Sequence, residues 1–322
     1  MKKILLFAAA LIISTFRLSA ASADSGEFVF ILKGRGNVFW QVVRNGIDET
    51  ASERGVSAVI LHTDDDQTPE AQLNICLTSI ARKPKVIVLG AATRNVGIEC
   101  FKKAAVAGIT VADIDGNVTI DEARAAGVSM AFTVTSDNYG IGKLAAERLA
   151  QIASSPSPRV LVIKGLPGSI VSEKRARGFV DRLRELMPGA LVVGEPDAYW
   201  DRMKAMNTTL DVIQREAQLD YIFSVSDAMT TGIVEALKIT RKADRIKIIS
   251  VDGLADARKA VISDRIESDV AQLPYLMGKR AVELAIDSVA NKMLGQIEYV
   301  PTPVLTKESL LANQSPYFKY LR

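Results

Sequence analysis

Two glycines frame the first stretch that could do chemistry. Residues 28–37 read FVFILKGRGN, an apolar run that meets Gly34-Arg35-Gly36, and a helix-like stretch follows. Strand, glycine loop and helix is how many phosphate-binding sites begin. A dinucleotide site of this kind needs G-x-G-x-x-G and an acid about 20 residues further on. Gly34 and Gly36 fit, but Phe39 holds the third position. The nearest acidic cluster, Asp64-Asp65-Asp66, is displaced by about a further ten residues. His62 is the only histidine and sits in an apolar, strand-like run, which leaves no obvious general acid–base residue at neutral pH. A nucleotide-dependent oxidoreductase is therefore a weak reading of this corner.

A stronger constellation is spread along the chain. In an open parallel sheet, ligands bind beyond the carboxyl ends of the strands. The apolar runs of this chain end in Lys33, Asp115, Ser226-Asp227, Asp252 and Gln272, and RVLVIKG runs into LPGSIVSEKR. Phe39 and Trp40 follow the first loop, and Trp200 precedes a helix. Carboxylates accept hydrogen bonds from hydroxyls, whereas Lys, Asn and Gln donate to them. Flat rings stack on weakly apolar C–H faces. The set suits a neutral polyhydroxyl ligand better than the mostly apolar pockets of common small-molecule sites. Taken singly, several members have a plainer role. Asp227 reads as the cap of a helix over 228–240 and Asp201 as the cap of the helix after it, and Phe39 and Trp40 fit a core. Two cysteines and one histidine make a poor metal site, and no cofactor is expected.

These residues need elements to position them. Short Val- and Ile-rich runs alternate with amphipathic stretches near 39–54, 69–82, 96–107, 139–153, 171–187, 202–216, 228–240, 254–262 and 275–293. Alternating β and α units predict an α/β fold with parallel sheets covered on both faces. The units exceed the eight of a closed barrel, and the pattern restarts after TVTSDNYG, so two doubly wound, Rossmann-like lobes fit better.

Residues 1–23 stand apart. A Lys2-Lys3 head, an apolar centre and the small residues Ala21-Ser22-Ala23 predict an export signal cleaved before Asp24. The apolar run, broken at Arg17, is shorter than the ~20 residues a spanning helix needs. Lys2, Lys3 and Arg17 account for the whole excess of 40 basic over 37 acidic residues. The mature chain is then neutral, with no basic stripe to suggest nucleic acid. Cys76 and Cys100 fall in predicted helices flanking KVIVLG. A disulfide and two buried free thiols both remain open.

Six motifs carry a resemblance. They are LKGRGNVFWQVVRNGI, TSDNYGIGKLAAERL, YWDRMKAMNTTLDVIQ, SVSDAMTTGIVEAL, SVDGLADARKAV and SDVAQLPYLMGKRAVEL. In this order the chain, from about Phe28 to about Leu310, resembles the periplasmic sugar-binding proteins of the ribose, allose and galactose type. Within them it is nearest the D-allose- and ribose-binding branch. The resemblance implies a type I periplasmic binding protein clamshell with a three-strand hinge. The implied lobes are 24–136 plus 273–300 and 137–272 plus 301–322. It implies a monomer that captures a monosaccharide or related polyol and delivers it to an ABC-type permease, without catalysis. A membrane histidine kinase or chemoreceptor is the alternative partner. The related sugar-responsive repressors carry a DNA-binding headpiece where this chain has its export signal. The implied sugar contacts are Lys33, Asn37, Phe39, Trp40 and Asp115 in the first lobe. In the second they are Ser169, Glu173, Arg175, Trp200, Ser226, Asp252 and Gln272. Ser169 and Ser226 stand where the family often has Asn. That implies a changed pattern of hydroxyls read: a related pentose, hexose, deoxy sugar or polyol.

Overall fold

The computed structural model describes residues 28–291, 295–313 and 315–321. The expected export signal lies outside the described residues. Five β-rich runs form β1 (Phe28–Leu32), β2 (Ala58–His62), β3 (Val86–Leu89), β4 (Thr110–Ile114) and β5 (Met130–Ser136). Between them lie α1 (Val38–Arg54), α2 (Pro69–Ile80), α3 (Arg94–Val106) and α4 (Ile120–Ala125). With β11 (Gln296–Val300) the strands form one parallel sheet in the order β11-β5-β4-β3-β1-β2. Helical crossovers make such pairing parallel and cover both faces, which is why β1 and β3 are buried along their whole length.

The second half repeats the plan. It holds α5 (Asn138–Ile152), β6 (Arg159–Ile163), α6 (Ile170–Leu186), β7 (Leu191–Gly194) and α7 (Arg202–Arg215). It continues through β8 (Tyr221–Ser224), α8 (Asp227–Ile239), β9 (Lys247–Asp252), α9 (Ala255–Ile262) and β10 (Ser268–Ala271). The second sheet runs β12-β10-β9-β8-β6-β7, where β12 (Val304–Leu305) pairs antiparallel with β10. The architecture is two α/β lobes, as the alternation predicts, and not a barrel. The chain passes between sheets after β5, after β10 and between β11 and β12. Helix α10 (Pro274–Asn291) returns to pack on α1 of the first lobe.

Two short helices escape the periodic pattern. Helix α4 is capped by a reciprocal box of Thr119 and Glu122, and α11 (Lys307–Ala312) by a similar box of Thr306 and Ser309. Each has six residues, too few for a 3.6-residue period to show. Cys76 and Cys100 form a disulfide, with Cα atoms 6.0 Å apart, that ties α2 to α3. The tail is also placed. Phe318, Tyr320 and Leu321 pack on a small cluster of Ala271, Leu273 and Leu305, where the chain crosses between lobes. Arg258 Nη2 donates to the Leu321 carbonyl at 3.2 Å.

Candidate functional site

The opening glycine loop holds an anion, and that anion belongs to the chain itself. Gly34 N donates to Asp66 Oδ1 at 2.6 Å, and Asn37 Nδ2 donates to Asp66 Oδ2 at 2.7 Å. A Cβ at Gly34 would lie 2.8 Å from the Asp66 backbone, so only glycine fits this approach. The amide a phosphate would need is thus occupied. Asn37 also caps α1, its Oδ1 accepting from Phe39 N at 3.0 Å. Capping turns the first helical turn inward and buries Phe39 and Trp40, which meet edge to face at 5.2 Å.

Asp115 and Asp252 occupy matching places at the ends of β4 and β9. Both have positive φ, 91° and 129°, and each is followed by a glycine with positive φ, Gly116 and Gly253. Such backbone is strained for a non-glycine residue and persists only when its surroundings impose it. A second carboxylate backs each turn. Asp113 accepts from Gly116 N at 2.6 Å and from Thr133 Oγ1 at 2.8 Å. Asp269 accepts from Gly253 N at 3.1 Å. Asp227 does not cap α8; its carboxylate accepts from Leu254 N at 2.8 Å, while its own N–H donates to Asp252 Oδ2 at 3.2 Å. Asp201 does cap α7, accepting from Lys204 N at 2.8 Å.

Charges inside the cleft are balanced locally. Lys33 Nζ lies 2.7 Å from Asp115 Oδ2, with both side chains 5% exposed, and stands over the Trp40 ring at 5.0 Å. Arg175 is buried. Its Nε donates to Asn138 Oδ1 and its Nη1 to the Val225 carbonyl, both at 2.8 Å, and Nη1 lies 3.6 Å from Asp252 Oδ1. Gln272 Nε2 donates to the same Asp252 oxygen. Burial pushes the Asp252 carboxyl up to about 6, against the downward pull of Arg175 and Gln272. Burial also raises Asp66, against its bond from Asn37. Burial raises Asp113 and Asp269 to about 7 and holds Asp227 well above its ordinary value.

These groups enclose one cavity of about 330 Å³ between the lobes. Lys33, Asn37, Phe39, Trp40 and Asp115 line it from the first lobe. Arg175, Trp200, Ser226, Asp252 and Gln272 line it from the second. Trp200 lies flat against the end of β6, where a Cβ on Gly165 would sit 2.3 Å from its ring. Ser226 Oγ and Gln272 Oε1 are buried and have no hydrogen-bond partner among the described residues. The structure does not bring Ser169 and Glu173 into this wall. Glu173 is exposed in the first turn of α6, one turn position away from the inward face that carries Arg175. Ser169 is fully buried and donates to Asn117 Oδ1 of the first lobe at 3.1 Å, so it joins the lobes. Asp66 and Val171 line the cavity although neither is among the implied sugar contacts. Asp66 follows the end of β2, so the rule about strand ends would have found it. Val171 is an ordinary apolar helix residue and carries no signal.

Two α/β lobes, crossed by three segments and enclosing a polar cavity with aromatic walls, define a clamshell that binds a small ligand. Residues 28–293 match the family described as periplasmic binding protein domain. The chain belongs to that family, whose members bind solutes outside the cytoplasm. It is 25% identical over 297 residues to the D-allose-binding periplasmic protein of Escherichia coli (strain K12), covering 92% of this chain and 95% of the relative. It is 26% identical over 277 residues to the D-apiose import binding protein of Actinobacillus succinogenes, covering 86% of each chain. A solved solute-binding protein from Actinobacillus succinogenes 130z with bound D-allose superposes with a TM-score of 0.81. It is 25% identical, over 88% of this chain and 99% of that one. An Agrobacterium vitis solute-binding protein with bound D-fucose has the same fold, with a TM-score of 0.84 at 24% identity, over 91% of this chain and 99% of that one. No helix among the described residues is long and apolar enough to cross a membrane.

Proposed function

We propose that this protein captures a monosaccharide or related polyol between its lobes and delivers it to an ABC-type permease, without chemistry. The observation that carries this is the cavity wall. Three carboxylates, two cations, Asn37 and Gln272 face three aromatic rings across one cavity. Donors and acceptors of both kinds match hydroxyls, and the rings supply stacking faces. The orphaned Ser226 Oγ and Gln272 Oε1 are paired once a polyhydroxyl ligand enters. Binding residues come from both lobes, so the ligand favours the closed arrangement by touching both at once.

The lobes are 24–136 plus 273–300 and 137–272 plus 301–322, and the export signal is removed before Asp24. The test is a thermal-shift screen of residues 24–322 against pentoses, hexoses, deoxy sugars and polyols, followed by calorimetry. A specific sugar or polyol raises the unfolding midpoint with the logarithm of its concentration. No response to any of them, with a response to a nucleotide or amino acid, overturns the proposal.

A further inference from the structure

A second space adjoins the sugar cavity. It opens to solvent and shares Asn37, Asp66 and Trp200 with the inner wall. Its sides are the β1–α1 and β2–α2 loops of the first lobe and the turns before α7 and α9 of the second. The lobes are tied together along its rim. Lys204 Nζ donates to Gln67 Oε1 at 2.6 Å, and Gln67 Nε2 donates to Asp201 Oδ2 at 3.4 Å. Of these bridging residues, Gln67 and Asp201 belong to its lining. This space is thus bounded by hydrogen bonds between the two lobes.

Two successive residues serve the two spaces. Tyr199 and Trp200 both have left-handed backbone, with φ of 59° and 60°. Such backbone is strained for a non-glycine residue and persists where the surroundings over-determine it. This turn sets Trp200 in the wall of both spaces and Tyr199 in the outer wall alone. Val38 is 49% exposed and Tyr199 36%, and both line the outer space, with Lys204 Nζ standing 4.1 Å from the centre of the Tyr199 ring. Asp64, Asp65, Asp201 and Asp256 stand around them, and Arg202 is the one basic residue among its lining. Apolar walls beside hydrogen-bond acceptors suit a second ring with a C–H face and hydroxyl or amino donors. A phosphate or carboxylate there meets like charge.

We propose that the site is bipartite and takes a glycoside or disaccharide, with one sugar in the inner cavity and a neutral or amino-bearing second unit in the outer chamber. This rests on the sugar-binding reading above. The test is calorimetry and thermal shift on residues 24–322. The probes are D-ribose, D-allose, D-glucose and D-galactose, their methyl and p-aminophenyl glycosides, maltose, cellobiose, lactose, melibiose, and glucose 6-phosphate. At least one glycoside or disaccharide is expected to bind as tightly as its parent monosaccharide, and the phosphate more weakly. Val38→Trp and Ala255→Trp fill the outer chamber from opposite lobes. Each is expected to weaken the extended ligand by roughly tenfold, the equivalent of about 1.4 kcal/mol, and to leave the monosaccharide within roughly twofold. Unchanged unfolding midpoints confirm that both variants fold. Two results overturn the bipartite site and leave monosaccharide binding standing: a monosaccharide that binds while every extended form is lost, or tryptophan variants that weaken both forms alike. Absence of binding by any sugar overturns both proposals.

Discussion

Asp115→Asn isolates the ion pair on the floor of the cleft. Asparagine keeps the shape and is among the few residues that tolerate positive φ, so the substitution at φ 91° removes charge and little else. It leaves the Lys33 ammonium buried without its partner. Breaking a buried pair in this way destabilises by about 3–5 kcal/mol. The Trp40 ring beneath Lys33 offsets part of the loss, by about 0.5–2 kcal/mol. The expected loss is therefore about 3 kcal/mol at pH 7. Urea unfolding followed by Trp40 fluorescence in a Trp200→Phe background reads the first lobe, because the chain has 2 tryptophans. Lys33→Met combined with Asp115→Asn removes both members of the pair and recovers most of the loss. A loss under about 1 kcal/mol at pH 7, the level of an exposed pair, refutes the reasoning. So does a double variant as unstable as the single.

Three further outcomes are expected. Asp252→Asn weakens the binding of any sugar found in the screen by at least roughly tenfold, because a ligand hydroxyl loses its charged acceptor; calorimetry that returns the parent affinity removes Asp252 from the site. Stability of the ligand-free protein falls as pH rises from about 5 to about 8. Asp113, Asp252 and Asp269 have folded values of about 7, 6 and 7, and Asp227 is raised well above its ordinary value. Raised carboxyls contribute stability below their unfolded pKa of about 3.9 and lose it as pH climbs through the folded values. A thermal midpoint that rises over this range contradicts the burial argument. Cys76→Ser with Cys100→Ser frees a segment closed over a sequence separation of 24 and lowers stability by about 3 kcal/mol. An unchanged urea midpoint in non-reducing buffer shows that the bridge constrains nothing.

What the sequence determined by itself was local or periodic. Val- and Ile-rich runs alternating with amphipathic stretches specify parallel sheets, because crossover helices must cover both faces. Ending those runs in Lys33, Asp115, Asp252 and Gln272 put polar groups at the mouth of a sheet, where the loops meet a ligand. Only the tertiary structure decided which of them face one space. Glu173 and Arg175 are two residues apart on one helix, and helical geometry sends one to solvent and the other into the cleft. Ser169 and Asn117 are 52 residues apart, and their bond exists only because the lobes meet. The glycine loop shows the same division. Its composition announced a place for an anion, but whether that anion is a phosphate or Asp66 depends on how β1 and β2 lie side by side. Such pairings join residues distant in the chain, and no local propensity encodes them.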